Sequence, residues 1–146
     1  METLNIIKNW NTLSRTYITI NNELDVHLQS KYKLSINEFN VLWLLSEQPE
    51  KKMRIQYIAD AVSLSQSAVS RLVSRLEHSL VERHICETDQ RGVYIKLTTL
   101  GQEQIDEIIT FYQNTLLQLL IKSDISQEMT VLLSSLNPLM KHYPTK

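Results

Sequence analysis

The strongest constraint on this chain lies between Arg54 and Thr98, where the spacing of apolar residues switches from helical to alternating. Ile55, Ile58, Ala59 and Val62 recur at three- and four-residue steps, the spacing of one helical face. Ser63-Leu64-Ser65 interrupts them with turn and cap chemistry. A second helical pattern runs from Gln66 to about Ser79, with Ala68, Val69, Leu72, Val73 and Leu76 on one side. Two short amphipathic helices joined by so tight a turn form the helix-turn-helix pattern. The only period-two signal follows it. Glu82 to Thr88 and Val93 to Thr98 flank Asp89-Gln90-Arg91-Gly92, and Val93, Ile95 and Leu97 alternate with Tyr94, Lys96 and Thr98. A polar loop holding a glycine between such runs predicts a hairpin. A lone hairpin cannot bury a core, so it must pack on the helices.

Longer helical patterns frame this centre. Ile6, Trp10, Leu13, Tyr17, Ile20, Leu24 and Leu28 place one apolar stripe on a helix from about Leu4 to Tyr32. Ser35-Ile36-Asn37-Glu38 is a capping box, and the helix it opens carries Phe39, Leu42, Trp43 and Leu45 and stops before Pro49. Thr99-Leu100-Gly101-Gln102 reads as a second capping box. The long helix expected after it carries Ile105, Ile108, Ile109, Tyr112, Leu116, Leu119 and Leu120. Ser123-Asp124-Ile125-Ser126 breaks that helix, and a last one bears Met129, Leu132, Leu133, Leu136 and Met140. With only two glycines and three prolines in 146 residues, long helices are favoured over a many-turned β protein. The expected fold class is therefore mainly α with a small β-hairpin wing. Segments 1–34 and 99–146 are expected to be terminal helices framing a middle segment, 35–98, that holds the helix-turn-helix and hairpin.

Composition excludes several classes of function. One cysteine, Cys86, makes neither a disulfide framework nor a cysteine-rich zinc site, and points to the reducing cytoplasm. Met1-Glu2-Thr3-Leu4-Asn5 lacks the basic and apolar stretches of a signal peptide, and no run approaches the roughly 18 apolar residues of a membrane span. His27, His78, His84 and His142 are scattered without metal-ligand spacing; His78 and His84 with Glu82 or Glu87 make a poor site. No phosphate loop, nucleophile elbow or acid–base pair appears, so neither an enzyme nor a cofactor or metal protein is expected. The net charge of −1 hides an asymmetry. From Lys51 to Thr99 eight Lys/Arg stand against five Asp/Glu, a net of +3, while the remainder carries −4. A basic middle between acidic ends suits one phosphate-facing surface.

The second helix of a helix-turn-helix presents its N-terminal side chains to base edges in the major groove. Here these are Ser65, Gln66, Ser67, Ser70 and Arg71, with Arg75 one turn further on the same face. Gln pairs with adenine and Arg with guanine in two-bonded geometry, while Ser hydroxyls suit phosphate oxygens. The plain alternative is that Ser65 is only an N-cap and the others a solvated face. At the hairpin tip, Arg91 has the reach and charge to enter a minor groove, and Asp89 turns the hairpin or holds the guanidinium. Equally, Asp-Gln-Arg-Gly is a serviceable turn and nothing more.

Ser65-Gln-Ser-Ala-Val-Ser-Arg-Leu-Val-Ser-Arg-Leu-Glu77, Leu80-Val-Glu-Arg83, and Asp89-Gln-Arg91 followed by Leu97-Thr98 together resemble the core of the MarR family of bacterial transcription regulators. The wing pattern is the most specific part, and the layout of terminal helices extends the likeness over nearly the whole chain. The resemblance implies a homodimer in which the first and last two helices of each subunit interlock and two wings lie along a palindromic operator. It therefore implies a repressor that binds double-stranded DNA and is released by a small aromatic effector. Ile6, Trp10 and Leu13 against Leu132, Leu136 and Met140 is the expected interface. Trp10, Tyr17, Trp43 and Tyr112 are candidate effector-pocket residues, although aromatics at helical spacing serve a core equally well. The chain departs from the family pattern after Leu76-Glu77, where only His78-Ser79 precedes Leu80, one residue fewer than usual and without glycine. A different helix end and a re-aimed wing are expected. Relatives that sense oxidants use cysteines in the first helix, and Cys86 lies elsewhere. The alternatives to a DNA-binding regulator released by a ligand are a winged-helix protein-interaction module and an oxidant sensor acting through Cys86.

Overall fold

The computed structural model describes residues 2–85, 92–123 and 125–140, and of 2–5, 126, 128 and 135–140 only the backbone. In chain order the elements are α1 (Glu2–Tyr32), α2 (Ile36–Ser46), β1 (Lys52–Arg54), α3 (Ile55–Val62), α4 (Gln66–Leu76), β2 (Val81–Ile85), β3 (Val93–Leu97), α5 (Thr99–Ser123) and α6 (Ile125–Met140). They divide into two compact units, one of Asp25–Tyr112 and one of Met1–Leu24 with Gln113–Lys146.

The 25–112 unit holds the main core. Phe39, Val41, Leu42 and Leu45 of α2 are buried with Ile58 and Ala59 of α3, Val69, Leu72, Val73 and Leu76 of α4, and Val81, Ile95 and Leu97 of the sheet. Ile105 and Ile108 of α5 join the same cluster. The expected capping box is present at α2: Ser35 Oγ accepts from the Glu38 amide at 3.0 Å and Glu38 Oε1 accepts from the Ser35 amide at 3.1 Å. Asp25 Oδ1 accepts from the Ile36 amide at 2.8 Å, using another orphan donor of that helix start. The turn between α3 and α4 is set by Ser63 in the left-handed region (φ 58°), where the Leu64 amide donates to Ala59 O at 3.0 Å in Schellman fashion.

The sheet has three antiparallel strands in the order β1-β3-β2, not the two that the alternating pattern predicts. β1 pairs Lys52, Met53 and Arg54 with Lys96, Ile95 and Tyr94. Three residues are too few to display a period, and this strand forms because β3 offers it an edge. The cap of α5 is also displaced from the expectation. Thr98, not Thr99, is the capping residue: its Oγ1 accepts from the Gly101 amide at 2.9 Å and donates to Ser79 O at 2.6 Å. With glycine three residues on, no side chain reaches back, so this is a cap without the reciprocal half of a box. Gly101 is required here because a Cβ would overlap the carbonyl oxygen of Leu80.

The other unit is helical. Ile20, Leu24 and Thr115 are its buried residues among those described. Ile7, Trp10, Tyr17, Ile18, Leu117, Ile121, Met129 and Leu133 are each about half or more exposed. Ile6, Leu13 and Leu132 of the expected interface stripe are half-buried, and the side chains of Leu136 and Met140 lie outside the described residues. No described helix is long and apolar enough to cross a membrane.

Candidate nucleic-acid interface

Helix α4 is amphipathic, and its two faces have separate tasks. Val69, Leu72, Val73 and Leu76 are buried, while Gln66, Ser67, Arg71, Ser74 and Arg75 are exposed. Its start is fixed by Ser65, whose Oγ accepts from the Ala68 amide at 3.1 Å. Ser65 is thus the N-cap, which commits its acceptor and leaves the hydroxyl proton available to a ligand.

Its end answers the missing glycine. Helix α4 stops at Leu76, short of the expected Ser79, because Glu77 turns extended (ψ 153°). His78 then takes the left-handed conformation at φ 72° that a glycine ordinarily supplies. The Leu80 amide still donates to Leu76 O at 3.0 Å, so the shortened turn closes and delivers the chain directly into β2.

A second fastening joins the wing to this helix. Arg83 of β2 donates through Nε to Glu77 Oε1, through Nη1 to Ser70 Oγ at 3.2 Å, and through Nη2 to Ser70 O at 2.8 Å and Ser74 Oγ at 2.9 Å. The strand's alternation explains the direction. Val81 is buried on the inward side, and Arg83, two residues on, shares that side and meets α4. Ser70, expected as a DNA contact, is therefore half-buried with its hydroxyl accepting from Arg83.

These groups line an open groove between α4 and the sheet. Gln66, Ser67, Ser70 and Arg71 line it together with Ser74, Arg83, Ile55 and Val93. Of the residues expected to touch DNA, the groove gathers those four; Ser65 caps the helix at its mouth and Arg75 is exposed outside its lining. Ser74 and Arg83 were absent from the expected set. The signal for Arg83 was present in the sequence as a cation in phase with the buried Val81. Asp89 and Arg91 at the wing tip, and Cys86, lie outside the described residues.

The candidate effector aromatics fall in different surroundings. Tyr112 stacks on Phe39 with centroids 4.1 Å apart and an interplanar angle of 19°, which gives that ring a packing role. Trp43 is 44% exposed on α2. Trp10 and Tyr17 belong to the other unit and are about 60% exposed. Among the described residues no group of three His, Cys, Asp or Glu side chains is placed to hold a metal ion.

Comparison with known proteins gives the fold its relatives. The chain is similar to AbsC, a MarR family transcriptional regulator from Streptomyces coelicolor, at 28% identity and a TM-score of 0.75, with 91% of this chain and 90% of that one covered. It is similar to the transcriptional regulator BldR from Sulfolobus solfataricus at 25% identity and a TM-score of 0.73, with 94% and 95% covered. A further MarR family regulator from Streptomyces coelicolor, solved in complex with DNA, shares the fold at 23% identity and a TM-score of 0.72, with 88% and 86% covered. The MarR resemblance read from the residues is borne out by these neighbours. The family profile described as transcriptional regulator SarA/Rot matches residues 24–108, from the end of α1 through the whole of the winged helix. The chain belongs to the SarA/Rot family of transcriptional regulators and carries the winged helix-turn-helix fold of the MarR type.

Proposed function

We propose that the chain is a homodimeric, sequence-specific DNA-binding repressor that reads a palindromic operator with α4 and steadies it with the wing. The observation that carries this reading is the division of α4: its apolar side is buried, and Gln66, Ser67 and Arg71 are left exposed along a groove whose other wall is the sheet. Polar side chains at the N-terminal end of such a helix are the groups that reach base edges in a major groove. A neighbour of the same fold was solved in complex with DNA, which supports the assignment of the partner.

The dimer is supported by the exposed Ile7, Trp10, Tyr17 and Ile18 of α1 and Met129 and Leu133 of α6, more apolar side chain than an isolated monomer usually leaves to water. Segments 1–34 and 99–146 then supply the dimerisation helices and 35–98 the DNA-binding core. Two-fold symmetry sets the half-sites about one helical turn, roughly 10 base pairs, apart. Arg91 at the wing tip enters the minor groove, with Asp89 orienting it. A small aromatic effector releases the operator by binding preferentially to a wing spacing that mismatches the half-sites, since a ligand shifts such an equilibrium only through a difference in affinity between its states.

The test is binding to duplexes from the gene's own upstream region across a salt series, for the wild type and Arg71→Ala. The expected result is a site bound with a steep negative log–log salt slope. Arg71→Ala should lose about 1–3 kcal/mol of discrimination at defined base pairs. Failure to bind any duplex at low salt overturns the reading and favours a protein partner for the same groove. Uniform weakening on all sequences makes Arg71 a phosphate contact instead of a base contact.

A further inference from the structure

The sheet has a second face. Side chains alternate along a strand, so with Arg83 turned toward α4 its neighbours Glu82 and His84 face away from that helix. The register then aligns Lys52, Lys96 and Glu82 in one row across the three strands and Arg54, Tyr94 and His84 in the next. Lys52 and Lys96 are directly opposite each other, an arrangement in which like charges repel and which adds nothing to the sheet's own stability. Glu82 is the partner of Lys96 on the other neighbouring strand, and its Oε1 lies 3.0 Å from His84 Nε2. Lys52 reaches Glu50 at 3.2 Å, but that carboxylate is 73% exposed and screened by water. Among the described residues Lys96 forms no ion pair.

Tyr94 stands at the centre of this face. Lys52 Nζ and Arg54 Cζ each lie 5.4 Å from its ring centroid. Its hydroxyl accepts from Arg54 Nε at 3.1 Å, so its own proton remains to donate. Beside it Lys52, Lys96, His84 and Ile85 complete a shallow groove of about 260 Å³. The face thus offers two ammonium groups and a phenolic donor around one hollow.

We propose that this outer face is a second phosphate-binding surface, and that it holds the backbone of the same duplex that α4 reads, where the DNA flanks the half-site and bends round the wing. The inference rests on the reading of α4 as the DNA-contacting helix. Charge complementarity selects the occupant: two lysines opposed to one another gain most from a polyanion, because each neutralised phosphate releases condensed counterions. The geometry adds the bend. The outer face points away from α4, so one straight duplex does not lie on both, and DNA that reaches Lys52 and Lys96 has turned past the sheet.

The experiment compares the shortest upstream duplex that the wild type still binds with the same duplex extended by about 10 base pairs at each end. Lys52→Gln/Lys96→Gln is the variant, since both side chains are exposed and its thermal midpoint should match the wild type. For the wild type, extension is expected to tighten binding and steepen the salt slope, and fluorophores at the two DNA ends should approach each other on binding. The variant should bind the short duplex as the wild type does. On the long duplex its slope should be shallower by about 0.9 for each phosphate left without its lysine, so by about 1.8 per wing. Extension without effect in the wild type, or a variant that keeps the full gain, overturns the proposal. Energy transfer between two separate duplexes, in place of bending within one, also overturns it by assigning the face to a second DNA molecule. Absence of binding to the short duplex sinks the reading of α4 and this inference with it.

Discussion

Removal of the Arg83 side chain tests how far its guanidinium fastens the sheet to α4. Four hydrogen bonds end on that group: to Glu77, to Ser70 twice and to Ser74. The Arg83 and Glu77 side chains are 30% and 24% exposed, so the pair is neither a surface ion pair nor a fully buried one. Exposed pairs contribute about 0–1 kcal/mol, and breaking a buried one costs about 3–5 kcal/mol. Between these limits, Arg83→Ala should cost about 2 kcal/mol, a figure already reduced for the access of solvent. For a chain of this size that corresponds to a midpoint about 4–8 °C lower. The assay is thermal and urea unfolding at one fixed protein concentration, because association of subunits adds to apparent stability. Arg83→Lys should recover less than half of the loss, since an ammonium still faces Glu77 but lacks the planar fork that spans Ser70 and Ser74. A double-mutant cycle with Glu77→Gln should give a coupling of about 1 kcal/mol. If Arg83→Ala unfolds within about 0.5 kcal/mol of the wild type, as an ordinary surface substitution does, the fastening is not energetic and the argument fails.

Two further substitutions probe the turns on either side of the wing. Gly101→Ala should destabilise the chain by about 1–3 kcal/mol, because the added methyl meets the Leu80 carbonyl oxygen and backbone cannot yield as a flexible side chain would; equal unfolding midpoints would show that α5 does not dock there as described. His78→Gly should stabilise by about 0.5–1 kcal/mol, because φ 72° strains a residue with a Cβ and not a glycine. A loss on equilibrium unfolding would mean that the His78 side chain contributes more than the strain costs.

The residues themselves announced most of the architecture, and the reason is that the decisive signals are short in range. The Ser35–Glu38 box, the Ser63-Leu64-Ser65 turn and the alternation from Val93 to Leu97 each act within a few residues, and all three stand where they were expected. The apolar stripe of α4 likewise showed which of its sides faces the core, and hence which side is left for a ligand. What the sequence could not decide were contacts that join distant segments. β1 exists because β3 presents an edge to it. Thr98 replaces Thr99 as the cap because its hydroxyl also donates to Ser79 O across the turn. The absence of glycine after Leu76 predicted a changed helix end, but not that His78 would adopt the left-handed conformation itself. Ser70 looked like a DNA contact and Arg83 like part of a motif, until the inward phase of β2 brought them within 3.2 Å of each other. Local chemistry thus determined where each element begins and which face it buries. Only tertiary packing decided which polar groups are consumed in holding α4 to the sheet and which stay exposed along its groove, because that division depends on the direction in which a strand's side chains point once it is paired.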